Sequence, residues 1–311
     1  MEGSAVRYIE NDFIKVGTKS KGGEWCSFIN KQNMVEYLWQ ADPQYWGRSS
    51  CILFPTIGKL KDGQYRIDDQ SYHLNQHGFL RNEIMTILSH DQQSIEFSKK
   101  SDPETDKLYP FEHEVRMIYR LDGPTLSITY EVYNNSDQLM PFSIGAHPAF
   151  RVPVKPDTKR SDYHLRFDQD EALQTMTLDA AGLIGSAMRP VPATDASIQI
   201  TDDLFDHDAL ILSDIKSSHV SLIGPDGHKI WTFDFEGFPY LGIWSKNQVS
   251  PFVCIEPWHG IADLATASGN LYEKKGIVTI ASGDSFTCTH KVSVHNVSSL
   301  ANSLKLIGLR I

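Results

Sequence analysis

The chain is 311 residues long, 41% hydrophobic and 22% charged, enough apolar material for a substantial core. Its net charge is −10 and no dense Lys/Arg stripe appears, which disfavours a nucleic-acid or anionic-membrane partner and suits a neutral polar ligand. No apolar run approaches the roughly 20 residues of a membrane helix, and the N-terminus lacks a basic-then-apolar leader, so the cytoplasm is the expected compartment.

Short aromatic and β-branched runs, punctuated by Gly, Asn, Asp or Pro, recur along the chain. Glu24 to Ile29 and Val35 to Trp39 read as early strands. Phe54-Pro55-Thr56-Ile57-Gly58-Lys59-Leu60 follows, then Asn75-Gln76-His77-Gly78-Phe79-Leu80-Arg81, a His-Gly turn with an aromatic neighbour. Ser94 to Lys99 is a further strand. Met117 to Leu121 and Thr125 to Val132, joined across Asp122-Gly123-Pro124, read as a hairpin. The run Pro141 to Phe150 alternates apolar and small residues as far as His147-Pro148. His147 therefore reads as a strand's last residue, kept extended by the following proline. Phe205-Asp206-His207-Asp208 is a short acidic loop, followed by strands at Ala209 to Leu212 and His228 to Phe235.

The run Cys254-Ile255-Glu256-Pro257-Trp258-His259-Gly260-Ile261-Ala262-Asp263 is the most informative. In an extended strand Phe252, Cys254 and Glu256 share one face, with Val253 and Ile255 on the other. Pro257 has no amide donor, so the ladder is expected to stop or bulge there, leaving Glu256 at a strand end on an apolar face. A carboxylate so placed is costly unless paired or used. Ser285 to Val294 is the last clear strand, and 296–311 forms a tail whose structure the sequence leaves open. With no sustained helical periodicity, the expected fold is all-β, a sandwich or barrel in one domain over 1–295.

Four cysteines, Cys26, Cys51, Cys254 and Cys288, lack metal or disulfide-framework spacing and read as buried, reduced thiols. Twelve histidines include no H-E-x-x-H pair, since His113-Glu114 lacks the second histidine. Neither G-x-S-x-G nor a Gly-rich nucleotide cradle appears.

Taken in order, the runs Phe54 to Leu60, His77 to Arg81, Gly145 to Phe150, Phe205 to Asp208 and Cys254 to Asp263 resemble the aldose 1-epimerase, or galactose mutarotase-like, family. The likeness runs from about residue 5 to residue 295 and is nearest to the LacX-type branch. It implies a large antiparallel β-sandwich and an isomerase that interconverts sugar anomers with neither metal nor cofactor. Carried onto this chain, Glu256 is the base, His147 the acid on the opposite side of the anomeric centre, and His77 a hydrogen-bonding assistant. His147 must then be protonated, and a pKa raised by Glu256 or another acid is expected.

Asp206, with Asp208 as competitor, would bind sugar hydroxyls. Lys59 stands where many family members carry arginine; as a point donor it cannot make arginine's planar two-toothed contact. Trp258 leads a set of candidate sugar platforms that includes Trp46, Phe79 and Trp244. Arg81 either reaches substrate or pairs with a nearby acid. Two alternatives share the fold. A hexose-6-phosphate mutarotase would draw a cationic pocket from Lys59, Lys61, Arg66 and Arg81. A carbohydrate-binding or sensing protein would bind sugar without catalysis.

Overall fold

The computed structural model describes residues 5–295; the 296–311 tail and the first four residues lie outside the described residues. The architecture is an antiparallel β-sandwich. A nine-stranded sheet runs in the order Ser197–Gln199, His164–Phe167, His219–Ile223, Lys229–Asp234, Ser285–Val294, Thr125–Asn134, His113–Asp122, Ser94–Lys100 and Thr86–His90. A seven-stranded sheet runs Ile184–Pro190, Gln174–Leu178, Leu210–Ser213, Tyr240–Trp244, Phe252–His259, Ile144–Arg151 and Ser50–Leu53. A four-stranded sheet, Val6–Glu10 to Val35–Glu36, packs onto the same core, where Trp25 meets Phe150 at 5.9 Å between ring centroids.

The hairpin read at 117–132 is longer than its apolar core suggests. Pairing extends from His113 with Asn134 to Asp122 with Thr125, leaving Gly123 and Pro124 as the loop. Alternation explains the burial: from Thr125 to Asn134 every second residue is buried, as one face meets the core and the other meets solvent. The run read as one strand from Pro141 to Phe150 is two, broken at Ser143, with Met140–Phe142 pairing instead with Val278–Ile280.

The main core lies between the two large sheets. Phe150, Val253 and Ile255 face it from the seven-stranded sheet, and Trp231, Phe233 and Val292 from the nine-stranded one. Phe150 and Trp231 meet at 4.4 Å between ring centroids. Each fully buried side chain of this size contributes about 1.5–3 kcal/mol. With that face committed, residues of opposite parity on the same strands, Cys51, His147, Cys254, Glu256 and Trp258, turn the other way.

Candidate active site

The second face of the seven-stranded sheet floors a cleft of about 760 Å³. Its position follows from strand register. Gly145 lies opposite Trp258 and Ala149 opposite Cys254, so the shared register sets His147 directly across from Glu256. Pro148 and Pro257 fall between those pairs. Neither has an amide to donate, so the ladder is open there while the alignment persists. Side chains directly opposed across antiparallel strands approach closely, and His147 Nε2 sits 3.3 Å from Glu256 Oε2.

Three expectations are corrected here. The strand does not stop at Pro257 but continues to His259, because its other neighbour, Tyr240–Trp244, stays paired from Cys254 to Trp258. Glu256 and His147 are both therefore mid-strand, not terminal. The two also stand side by side on one wall, as cross-strand neighbours must, instead of on opposite sides of a hollow.

The third concerns the imidazole. Burial lowers His147 to about 3, and the charges of Arg81 and Arg48 act in the same direction. Burial likewise pushes the Glu256 carboxyl well above its usual range, with Asp208 adding to the effect. A carboxyl that keeps its own proton offers no negative charge to raise a neighbouring histidine. Burial thus favours the uncharged form of each group.

His77 reaches the cleft from a turn in which it and Gly78 both have positive φ, 68° and 69°. A Cβ at position 78 would lie 2.1 Å from the Phe54 carbonyl oxygen, so only glycine fits. The His77 amide donates to the Gly58 carbonyl at 3.0 Å, and the Gly58 amide donates to His77 Nδ1 at 3.1 Å. An Nδ1 that accepts leaves the ring proton on Nε2. Burial, helped by His147, Arg81 and Arg48, holds this ring well below the usual histidine range, so it is a neutral donor.

The remaining expected residues all line the cleft: Lys59, Arg81, Asp206 and Trp258, together with Asp208. Arg81 donates through Nη2 to the Gln76 carbonyl at 2.6 Å, and its Nε has no hydrogen-bond partner among the described residues. Asp206 accepts from Gln248 Nε2 at 3.1 Å. Trp258 spreads over two glycines on the flanking strands: a Cβ at Gly145 or at Gly242 would lie 2.6 Å from its ring. Trp46 stacks on His147 at 4.7 Å and 27°, while Trp244 meets the same ring edge-on at 5.5 Å. Phe79, by contrast, is in the main core against Phe54 and His113. Lys61 and Arg66 also lie away from the cleft, donating to the Ala267 and Ser268 carbonyls.

Several contributors had no local signal in the sequence. Lys246 and Asp179 line the cleft from loops. Arg160, buried, donates to Ser245 Oγ and to the Asn247 and Ser250 carbonyls, and its guanidinium lies 5.2 Å over the Phe205 ring. It thus joins the loops that carry Lys246 and Asp206. Asp263, though within a run singled out above, works from behind. Its carboxylate accepts from Lys274 Nζ at 2.6 Å and from the Lys61 amide at 2.9 Å, and its own amide donates to the Lys59 carbonyl at 2.9 Å. That buried pair fixes the backbone from which Lys59 projects.

Comparison with known proteins agrees with the fold. A family model described as aldose 1-epimerase matches residues 7–279. The chain is 35% identical over 279 residues to the chromosomal protein LacX of Lactococcus lactis subsp. lactis, covering 87% of this chain and 93% of that one. A galactose mutarotase related enzyme from Lactobacillus acidophilus superposes with a TM-score of 0.89 at 34% identity, over 94% of this chain and 98% of that one. A galactose mutarotase-like protein from Lactobacillus casei gives 0.88 at 33%, over 94% and 100%.

Proposed function

This chain belongs to the aldose 1-epimerase family, and we propose that it interconverts the α and β anomers of a hexose by opening and reclosing the hemiacetal ring. The observation that carries this reading is the His147–Glu256 pair, 3.3 Å apart on the floor of a sugar-sized cleft, with the His77 Nε2–H donor beside it. Both oxygens of a hemiacetal are bonded to one carbon, so an acid and a base side by side can reach the two together.

Ring opening takes the proton of the C1 hydroxyl onto Glu256 and gives a proton from His147 to the ring oxygen. The cyclic sugar therefore faces a carboxylate and an imidazolium, and the open-chain aldehyde faces a carboxylic acid and a neutral imidazole. Rotation about C1–C2 and the reverse transfers close the ring as the other anomer. The pair keeps one transferable proton throughout. Burial favours the form with both groups uncharged, which is the one that accompanies the open chain. Hydrogen bonds from the C1 hydroxyl to Glu256 and from His147 to the ring oxygen favour the charged form in the complex. His77 supports the ring oxygen, Lys59, Arg81 and Asp206 take hydroxyls, and Trp258 offers an apolar floor.

A positioned acid or base supplies about 10²–10⁴-fold in rate. Polarimetry or NMR anomer exchange over free and phosphorylated aldoses is the test. Turnover should fall by that order in Glu256→Gln and in His147→Asn, and near-normal rates in Glu256→Gln would refute the mechanism. Sugar binding with exchange at the uncatalysed rate would make the protein a binder or sensor. The presence of Lys59, Arg81 and Lys246 in one cleft favours a second reading, a phosphorylated hexose as substrate, which preference for the phosphorylated sugar in the same panel would establish.

A further inference from the structure

Cys254 takes no part in that chemistry, yet it is the next residue on the Glu256 face of its strand. The His147 imidazole, the Cys254 thiol and the Glu256 carboxylate each present a ligand atom, and these atoms all lie within 4.8 Å of one another. All three side chains are buried. Glu256 Oε2 and His147 Nδ1 have no hydrogen-bond partner among the described residues, although each is a buried polar atom. Buried polar groups normally find partners. A floor with an unpartnered carboxylate oxygen is thus suited to receive something from the cleft.

We infer that this floor is an inhibitory site for a borderline-soft divalent ion, Zn²⁺ first, held by His147, Cys254 and Glu256. Zinc takes nitrogen at about 2.0–2.1 Å, carboxylate oxygen at about 2.0–2.2 Å and sulfur at about 2.3 Å, in tetrahedral array. Two such ligands on one ion stand about 3.3–3.5 Å apart by that geometry, and His147 Nε2 and Glu256 Oε2 are already separated by 3.3 Å. Only the sulfur must close in. His147 and Glu256 line the cleft while Cys254 is packed beside Trp39, Ala149 and Phe252 and does not line it, so three protein ligands would leave the fourth position on the cleft side, for water or a sugar hydroxyl. A nitrogen, sulfur and oxygen set selects zinc, cobalt or cadmium over magnesium and calcium, which prefer oxygen alone.

Charge balances as well. Binding expels the thiol proton, with any proton on the carboxyl, to solvent, and the resulting thiolate and carboxylate together offset the dication. Neutral His147 lends a lone pair. Asp208 faces the site with a favourable charge, and Arg81 and Arg48 oppose it. With the ion in place the same atoms cannot carry protons, so anomer exchange stops.

The ligand set stands on the geometry of the floor and does not depend on the reaction proposed above; only the inhibition does. The test is titration of the metal-free full-length protein with Co²⁺, read by visible and near-ultraviolet absorption. Tetrahedral ligand-field bands accompanied by a thiolate-to-cobalt charge-transfer band are expected, with Mg²⁺ giving neither. Cys254→Ala should remove the charge-transfer band. It should also weaken Zn²⁺ competition by more than the about 10–100-fold that loss of a ligand's outer partner costs. Its untreated anomer-exchange rate should persist and become resistant to Zn²⁺. Absence of the charge-transfer band in the wild-type protein, or equal Zn²⁺ affinity in Cys254→Ala, overturns the proposal. A normal Co²⁺ spectrum on a protein that exchanges no anomers leaves the ion site standing and removes the reaction instead.

Discussion

A carboxylate buried beside an imidazole costs folding energy that catalysis would explain. Because Glu256 holds its proton more firmly folded than unfolded, its contribution is most favourable below the ordinary carboxyl value of 4.5 and erodes as pH rises toward its raised folded value. Glutamine cannot ionise. Glu256→Gln should therefore raise Tm, by a margin that grows as pH climbs from 4.5 toward the raised folded value and levels off beyond it, while turnover is lost. Thermal melts at several pH values check this, and a fall in Tm at pH 8 would contradict it. Asp208 supplies a secondary push on the same group, after burial. Asp208→Asn should lower the Glu256 pKa and move the alkaline limb of the kcat/KM profile to lower pH. If Asp208 served only to hold sugar, the limb would stay and KM alone would rise. Asp206, exposed and tethered by Gln248, is expected to behave in that second way, and Asp206→Ala to weaken sugar binding by the roughly 0.5–1.5 kcal/mol of an ordinary hydrogen bond, read as a higher KM with kcat little changed.

At the scale of strands and turns, the local sequence announced His77, His147 and Glu256, because each adjoins a Gly or Pro that sets its backbone. Their meeting at one site was expected from the family resemblance, but the register that brings them together was not legible. Cross-strand register is a property of two distant segments, so nothing near Pro257 tells that the Tyr240–Trp244 strand keeps the chain extended beyond it. For the same reason Lys61 and Arg66, close to Lys59 in sequence, point elsewhere once the chain turns back on itself. The glycines opposite Trp258 offer a direct probe. A methyl at position 242 would meet the Trp258 indole first, at 2.6 Å, so Gly242→Ala should drive Trp258 toward the cleft. The expected result is a higher KM and a shifted tryptophan emission, with the fold intact by circular dichroism. Unchanged emission and KM would mean that the ring has slack the packing does not suggest.

Over the whole molecule, the all-β architecture was readable from short alternating runs, but the division of those runs between sheets was not, since strands of both sheets look alike in composition. Phe150 shows how the layers are joined: fully buried, it meets Trp231 of the opposite sheet at 4.4 Å. Phe150→Ala should cost about 3–5 kcal/mol by denaturant titration; a loss under 1 kcal/mol would mean that the interface recloses. No strand of the nine-stranded sheet lines the cleft. An engineer thus has two dials on separate shafts. Randomising the solvent face of that larger sheet and selecting for heat tolerance should harden the scaffold without retuning sugar preference, and selectivity can be redrawn in the loops around Lys59, Asp179 and Asp206 on a chassis already made robust.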